Sequence, residues 1–187
     1  MKEIEILVKV YSEKDKVIDI LSKFEYKGLD EITDIYYYDP LRNNLKPINN
    51  QINECLRLRT KNNENFITYK KDKFDDNKKW LYSDEYETEI KDSDIIKTIL
   101  KNLGFKELIK IKNKKRVYKY NDYEIVFEVV DDLGLFLEVE YSTNKDVNIL
   151  YIKKEIQEFI NSLNIDVSEE LNMGKPEMML RNKNINL

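Results

Sequence analysis

The chain has 187 residues, of which 41% are hydrophobic and 36% are charged, so it is long enough for one domain with a substantial core. Its 32 basic and 36 acidic residues give a net charge of −4, which argues against a nucleic-acid partner or an acidic membrane surface. Histidine is absent and Cys55 is the only cysteine. These counts exclude an intrachain disulfide and any Ser-His or Cys-His nucleophile pair, and they disfavour a zinc site.

The same composition limits the chemistry that remains. A bound metal must be a hard ion held by carboxylates, and a base must be Asp, Glu, Lys, Tyr or a metal-activated water. No apolar run approaches the roughly 18 residues of a membrane span, and the acidic N-terminus does not resemble a signal peptide. With the single cysteine, these features predict a cytoplasmic protein with one domain over residues 1–187.

The first half of the chain reads as strands with one inserted helix. Residues 3–10 (EIEILVKV) alternate strictly, and residues 12–28 combine a capping Ser12, a helical apolar face and a terminal Gly28. DIYYYDP (34–40) predicts a strand that ends at Pro40, and the polar stretch 41–53 predicts a loop. CLRLRT (55–60) and FITYKK (66–71) predict a hairpin, and YETEI closes another strand near residue 90.

The second half adds helices and returns to strands. Residues 91–104 predict a helix with Asp92 or Ser93 as its cap, and three alternating strands cover 114–120, 123–130 and 135–141. A long helix follows at about 147–163, and a short helix with a tail covers about 168–187. About eight hairpin-linked strands with inserted helices predict an α+β fold with an antiparallel sheet.

Like charges recur at alternate positions of these strands. Glu3 and Glu5 share a face, as do Arg57 and Arg59, and the same holds for Glu138 and Glu140. A solvated sheet face is the usual reason for such alternation. However, two carboxylates about 6 Å apart repel by roughly 3 kcal/mol at an effective dielectric near 20, which favours a bound counter-ion. The pattern also fits a barrel whose helices lie outside and whose charges line the lumen.

A lumen of this kind would bind a highly charged anion together with a metal. Arginine and lysine match phosphate oxygens, and carboxylates can hold Mg²⁺ or Mn²⁺ that bridges to them. With four glycines in total, a Gly-rich phosphate loop is excluded. The predicted phosphate ligands are Arg57, Arg59, Lys70, Lys114 and Arg116, and the predicted metal ligands are Glu3, Glu5, Glu138 and Glu140.

The motifs EIEILVK, DIYYYDP, LRLR, ITYKK, YETEI, KKR and DDLGLFLEVE occur in the order typical of the CYTH family. The chain therefore resembles the triphosphate tunnel metalloenzymes, which include class IV adenylyl cyclases, thiamine triphosphatases and inorganic tripolyphosphatases. The resemblance implies an eight-stranded antiparallel tunnel that is open at both ends. It also adds Glu85, Glu87 and Glu128 to the metal ligands and, more loosely, Lys175 to the phosphate ligands.

Three positions depart from the family pattern, one of them conservatively, since the aspartate before the LG turn falls at Glu128. The family's first-strand lysine falls at Leu7, so Lys9, one side-chain step further along the same face, is the predicted substitute. The arginine that often precedes the acidic strand falls at Ser83. Loss of two cations puts rate and substrate choice in question and leaves the fold expectation unchanged.

The resemblance implies a metal-dependent enzyme acting on ATP, tripolyphosphate or thiamine triphosphate. The turn LGLFLEVE favours a cyclase that forms cyclic AMP and pyrophosphate, a triphosphatase is the alternative, and a non-catalytic polyphosphate- or nucleotide-binding tunnel is a third hypothesis. Lys9 and Arg116 are the predicted catalytic residues. The family often dimerises, so a homodimer is an expected assembly, whereas nucleic acid and membranes are not expected partners.

Overall fold

The computed structural model describes residues 2–42, 45–49 and 51–185, and its centre is a closed barrel of eight antiparallel strands. Around the barrel the strands follow the order β1-β5-β4-β3-β2-β6-β7-β8. The strands are β1 (Lys2–Lys9), β2 (Glu25–Tyr38), β3 (Glu54–Lys61), β4 (Glu64–Phe74), β5 (Trp80–Ile90), β6 (Lys106–Tyr120), β7 (Tyr123–Val130) and β8 (Gly134–Thr143). The predicted α+β fold with an antiparallel barrel is confirmed.

Alternation along each strand separates the lumen from the outer surface. In β1, Ile4, Ile6 and Val8 pack outward into an apolar cluster, whereas Glu3 and Glu5 line the lumen. Strand β1 closes the barrel by pairing with β8 along its whole length, in a register that sets Glu5 opposite Glu140. The register therefore brings carboxylates from the two ends of the barrel sequence to the same level.

Three helices cover the outside of the barrel. Helices α1 (Lys14–Leu21) and α3 (Ile149–Ser162) pack on one side through Val17, Ile156 and Ile160. Helix α2 (Ser93–Asn102) packs on the other side through Leu100, and the predicted cap Asp92 accepts hydrogen bonds from the backbone of Asp94 and Ile95. No described helix is both long and apolar enough to cross a membrane.

The fourth helix, α4 (Lys175–Asn182), fills one end of the barrel instead of lying outside it. Its buried Met179 and Leu180 contact apolar side chains that point into the lumen. Those lumen partners are Leu7, Tyr36, Ile109, Ile111, Val130 and Phe136. Burying Met179 and Leu180 contributes about 1.5–3 kcal/mol for each side chain.

The expectation of a tunnel open at both ends is therefore wrong. Among the described residues, the apolar cluster around α4 closes one end of the lumen, and the charged cavity opens at the other end. Glu177 fixes the start of the helix, because its carboxylate accepts hydrogen bonds from the backbone N–H of Gly174 (2.7 Å) and of Ile52 (2.8 Å). Closure depends on a short C-terminal segment that follows the last strand by more than thirty residues.

Candidate active site

The open half of the lumen holds a cavity of about 300 Å³ whose walls are mostly charged. Among the described residues, ten acidic and five basic side chains line it, which leaves a surplus of negative charge. The acidic residues are Glu3, Glu5, Asp34, Asp72, Glu85, Glu87, Glu124, Glu138, Glu140 and Glu177, and the basic ones are Arg57, Arg59, Lys70, Lys115 and Lys175. Such a surplus is costly in a confined space unless a cation enters with the ligand.

Three carboxylates form the most concentrated negative charge in this cavity. Glu3 and Glu5 from β1 and Glu140 from β8 each place one oxygen within 4.8 Å of the others. Burial raises the pKa of all three to about 7, and repulsion from neighbouring glutamates adds to the effect. Ser142 supports the group by donating a hydrogen bond from its hydroxyl to Glu140.

This trio fits a divalent metal ion. The donor set contains only carboxylate oxygens, which hard ions such as Mg²⁺ and Mn²⁺ prefer, and the oxygens already converge. The raised pKa values point the same way, because the three charges are poorly compensated by the protein alone. The other predicted metal ligands pair with other bases, because Arg57 contacts Glu85 and Glu87, and Lys175 contacts Glu128 and Glu138.

Lys70 links the trio to the acidic strand β5. Its Nζ lies 2.9 Å from Glu3 Oε2, 3.8 Å from Glu5 Oε2 and 3.6 Å from Glu85 Oε2. Although burial alone would lower the pKa of Lys70, the glutamates raise it well above its ordinary value. The ammonium is therefore a permanent charge at the centre of the cavity.

Arg57 and Arg59 form the basic wall of the cavity on strand β3. Arg59 makes a bidentate pair with Asp34, with Nε 2.8 Å from Oδ1 and Nη2 2.9 Å from Oδ2. Arg57 Nη2 lies 3.2 Å from Glu87 Oε2 and 3.6 Å from Glu85 Oε1. Burial would raise the pKa of Asp34, but the two arginines lower it to about 2. Both guanidinium groups are thus held in fixed orientations by carboxylates.

A second ionic group lies next to the closed end. Glu128 and Glu138 are buried, and the Nζ of Lys175 contacts both of them, at 2.6 Å from Glu138 Oε2. Lys115 Nζ lies 4.0 Å from each glutamate, and Asn113 Nδ2 donates to Glu128 at 2.8 Å. Burial would raise the pKa of Glu138, but Lys175 and Lys115 lower it.

Most of the predicted site residues do come together in the lumen. Glu128 is buried beside the cavity in contact with Lys175. The others form part of the cavity wall, namely Glu3, Glu5, Arg57, Arg59, Lys70, Glu85, Glu87, Glu138, Glu140 and Lys175. Their proximity is a finding, whereas their individual roles remain predictions.

Three predicted residues lie elsewhere, and their placement in the lumen was wrong. Lys114 is exposed on the outer face and pairs with Glu31, and Arg116 stands beside Phe127, which packs in the outer cluster. KKR supplies three consecutive bases, and a shift of one residue exchanges the two faces of a strand. Lys115 is therefore the lumen base.

Lys9 does not replace the missing first-strand lysine. Its side chain is exposed and its backbone pairs with Ser168, with Lys9 N 3.0 Å from Ser168 Oγ and Ser168 N 2.9 Å from Lys9 O. Leu7, buried in the cluster around α4, separates Lys9 from the acidic residues. The closed end of the barrel therefore excludes Lys9 from the cavity.

Two functional candidates escaped the sequence reasoning altogether. The sequence indicates only that Asp34 begins a strand, whereas the structure places it directly opposite Arg59 in the β2–β3 register. Asn113 precedes the basic run and shares the lumen face with Lys115. Strand register reveals both contacts, that of Asp34 with Arg59 between β2 and β3 and that of Asn113 with Glu128 between β6 and β7, and the sequence alone does not give this register.

The fold and the site together define a tunnel-type barrel whose ionisable residues lie in the lumen. The CYTH domain matches residues 1–171, and the chain belongs to the CYTH family. Members of this family bind triphosphate substrates, and its triphosphate tunnel metalloenzymes use divalent metals.

Individual relatives extend the comparison. The chain is similar to "Putative adenylate cyclase" of Methanocaldococcus jannaschii, with 35% identity over 168 residues that cover 88% of this chain and 91% of that protein. It is similar in structure to the PH1819 protein of Pyrococcus horikoshii, with a TM-score of 0.79 and 28% identity over 95% of this chain and 98% of that one. A "putative adenylyl cyclase" of Hippeastrum, described as revealing a dominant triphosphatase activity, shares the fold at a TM-score of 0.69 and 16% identity, over 100% of this chain and 98% of that one.

Proposed function

We propose that this chain is a divalent-metal-dependent enzyme that hydrolyses the terminal phosphoanhydride bond of a triphosphate. The observation that carries the proposal is the convergence of Glu3, Glu5 and Glu140 beside the buried Lys70, opposite Arg57 and Arg59, in one closed-ended cavity. Three acids at one point and three bases next to them match a polyphosphate anion with its metal.

The carboxylate trio would hold Mg²⁺ or Mn²⁺. When bound, this ion supplies positive charge that neutralises the phosphate oxygens and polarises the phosphorus under attack. Glu3, Glu5 and Glu140 position it on the side of the cavity formed by β1 and β8. Glu85 lies outside the converging trio and contacts both Lys70 and Arg57, so its proposed role is to orient those bases.

The bases would bind the phosphate oxygens. Arg57, Arg59 and Lys115 present fixed donors along the cavity, and Lys70 adds a permanent charge between them and the trio. Asp34 holds the Arg59 guanidinium through both of its oxygens, which orients the arginine before the substrate arrives. Phosphoryl transfer depends mainly on such positioning and on charge neutralisation.

The single mouth favours hydrolysis over cyclisation. A triphosphate enters with its terminal phosphate foremost, so that phosphate reaches the deepest charged residues, and an attached nucleoside stays near the mouth. A volume of about 300 Å³ is at the lower end of the range of small-molecule sites. Water then attacks the terminal phosphorus, the bond to the bridging oxygen breaks, and orthophosphate and a diphosphate form with release of a proton.

Cyclisation of ATP is the second candidate. It is supported by the 35% identical relative, whose name is that of an adenylate cyclase, and by the motif LGLFLEVE. In this reaction the 3′-hydroxyl attacks the α-phosphorus and pyrophosphate leaves. A pocket with one mouth would then hold pyrophosphate behind cyclic AMP, so the nucleotide product must depart first.

Identification of products separates the candidates. Purified protein is incubated with Mn²⁺ or Mg²⁺ and, in parallel, with ATP, tripolyphosphate and thiamine triphosphate. Orthophosphate as the product supports hydrolysis. Cyclic AMP with pyrophosphate as the products contradicts hydrolysis and supports cyclisation. Tight binding without turnover of any of the three overturns both and leaves a non-catalytic binding tunnel, which the loss of cations at Leu7 and Ser83 would explain.

Variants of the trio test whether its carboxylates hold the metal ion. Glu5→Gln and Glu140→Gln each remove one ionic ligand while keeping the shape of the side chain, and each should lower turnover by about a hundredfold or more. Glu158→Gln is the matched control, because Glu158 is exposed on α3 and only pairs with Lys154. Turnover of either trio variant at the parent rate would show that these carboxylates do not hold the metal.

A further inference from the structure

The carboxylates of Glu128 and Glu138 form a second acidic site that differs from the trio in one respect. Both side chains are buried, and they come from adjacent strands, β7 and β8. Two buried carboxylates that face each other's strands require a positive partner, because an uncompensated buried charge is strongly destabilising. At the trio, Lys70 Nζ lies 2.9 Å from Glu3 and 3.8 Å from Glu5, and Glu140 has no ion-pair partner among the described residues, whereas here one lysine contacts both carboxylates closely.

That cation is the ammonium group of Lys175. Its Nζ contacts Glu128 and lies 2.6 Å from Glu138 Oε2. Among the described residues, these two glutamates are the ion-pair partners of Lys175. The pKa of Lys175 would be lowered by burial, but the two glutamates raise it. Lys175 begins α4, and Met179 and Leu180 of the same helix anchor it in the apolar end of the barrel. The helix therefore fixes the charge in place.

The surroundings also contain a free ligand atom. Asn113 donates its Nδ2 to Glu128, and its buried Oδ1 has no hydrogen-bond partner among the described residues. Without the lysine, two carboxylates and this amide oxygen would form a second set of hard oxygen ligands. The structure thus contains the ligands of a metal site with an ammonium group at its centre.

We infer that Lys175 is a built-in cation that replaces a second divalent ion between Glu128 and Glu138, so that the chain binds a single divalent ion, at the trio. The inference rests on the metal site of the proposed function and is independent of turnover. It assigns Lys175 to charge compensation rather than primarily to phosphate binding. It also predicts that one substitution converts a one-ion protein into a two-ion protein.

The test counts bound Mn²⁺ by calorimetry and by electron paramagnetic resonance of the free ion, without substrate. The parent should bind one ion, and Lys175→Met, which keeps the length of the side chain and removes its charge, should bind two. Lys175→Arg keeps the charge and should bind one. Lys183→Met is the matched control directly after α4, where the ion-pair partner of Lys183 among the described residues is the exposed Asp132, and it should also bind one.

A double variant identifies the location of the second ion. Lys175→Met with Glu138→Gln should return to one ion, because the second ligand set is then incomplete. If Lys175→Met is unfolded without metal, Mn²⁺ should restore its folded circular dichroism spectrum and raise its Tm, which supports the inference. Failure of Mn²⁺ to refold it overturns the inference.

Other outcomes are equally decisive. Two ions in the parent, or one ion in folded Lys175→Met, overturn the inference, and absence of Mn²⁺ binding in every protein overturns it together with the metal site. One bound ion in the parent, two in Lys175→Met and no turnover of any triphosphate would contradict the proposed function alone. The two claims can therefore fail separately.

Discussion

The two halves of the barrel lumen are built from the same strands and have opposite chemistry. Towards the mouth the inward side chains are ionic, and towards α4 they are apolar. The change occurs within single strands, from Glu5 to Leu7 in β1, from Glu138 to Phe136 in β8, from Glu128 to Val130 in β7 and from Asn113 to Ile111 in β6.

This contrast shows that a lumen-facing position has no fixed character. Alternation decides which residues point inward, and the height along the strand decides whether they meet water and ions or a packed helix. The charged half is poorly compensated and therefore suited to bind, whereas the apolar half is stabilised by burial. Function and stability are separated along one axis of the barrel.

The difference between the two halves is tested most strongly by introducing a charge at an apolar inward position and an apolar side chain at a charged one. Leu7→Glu places a carboxylate among Met179, Leu180 and Phe136 and directly opposite Glu138 in the β1–β8 register, and should lower the free energy of unfolding by about 4 kcal/mol or more. Urea denaturation followed by circular dichroism measures the change.

Glu5→Leu is the reciprocal control. It removes one of three repelling carboxylates and should leave the free energy of unfolding within about 1 kcal/mol of the parent or increase it, while metal-dependent turnover is lost. Similar losses of stability in both variants would show that the two halves do not differ in the way described.

The helix that fills the closed end provides the next test. Met179→Ala leaves a cavity in the apolar half and should cost about 2–5 kcal/mol in the same denaturation experiment. Met178→Ala removes the same atoms at a partly buried site and should cost clearly less. Equal costs at the two positions would mean that α4 does not pack in the lumen.

Adjacent lysines on β6 sharpen the distinction between lumen and outer surface. Lys115→Ala removes an inward base and should raise the KM for a triphosphate about tenfold, which corresponds to about 1.4 kcal/mol. Lys114→Ala removes only an exposed pair with Glu31 and should change KM and stability very little. A larger effect at Lys114 would contradict the placement of Lys115 in the lumen and would support the prediction from the sequence that Lys114 faces it.

The smallest predicted effect is the pH dependence of stability. Folded Glu3, Glu5 and Glu140 have a pKa raised to about 7, above the ordinary 4.5, so the folded state favours their protonated forms. Without metal, their contribution to stability is full below about pH 4.5 and is lost as the pH rises through about 7.

The corresponding measurement is Tm at two pH values. The metal-free Tm should fall by a few degrees between about pH 5 and pH 8, and Mn²⁺, which binds the ionised carboxylates, should raise Tm more at pH 8 than at pH 5. Glu140→Gln should reduce both differences. A Tm that rises with pH in the absence of metal would contradict the raised pKa values.

The sequence allowed the barrel and most of its inward charges to be predicted, because strict alternation in strands such as EIEILVKV and LFLEVEY states which residues share a face. It failed where alternation is degenerate. KKR offers a base on both faces, so the pattern does not distinguish Lys114 and Arg116 from Lys115, which is the base that faces the lumen. Contacts between distant strands, such as Asp34 with Arg59, were also invisible.

The closed end was missed for a different physical reason. GKPEMML reads as an ordinary amphipathic helix, and nothing local distinguishes packing on a barrel wall from packing inside a barrel. The substitution of Leu7 for a lysine was the available sign, since an apolar inward residue requires an apolar partner. Leu7 is therefore part of the apolar closed end, and the prediction that Lys9 replaces a lost cation is wrong.

Because α4 fills one end of the barrel, a polymer cannot pass through the lumen from one end to the other. If the substrate is a linear chain of phosphates longer than the pocket, only its end can reach the acidic trio, and the remainder must stay outside the mouth. Such a chain would be shortened from its terminus, one small fragment at a time, and a cyclic phosphate without a free end would be a poor substrate. Product and incoming substrate must also pass through the same mouth, so the product has to leave the pocket before the next substrate can bind.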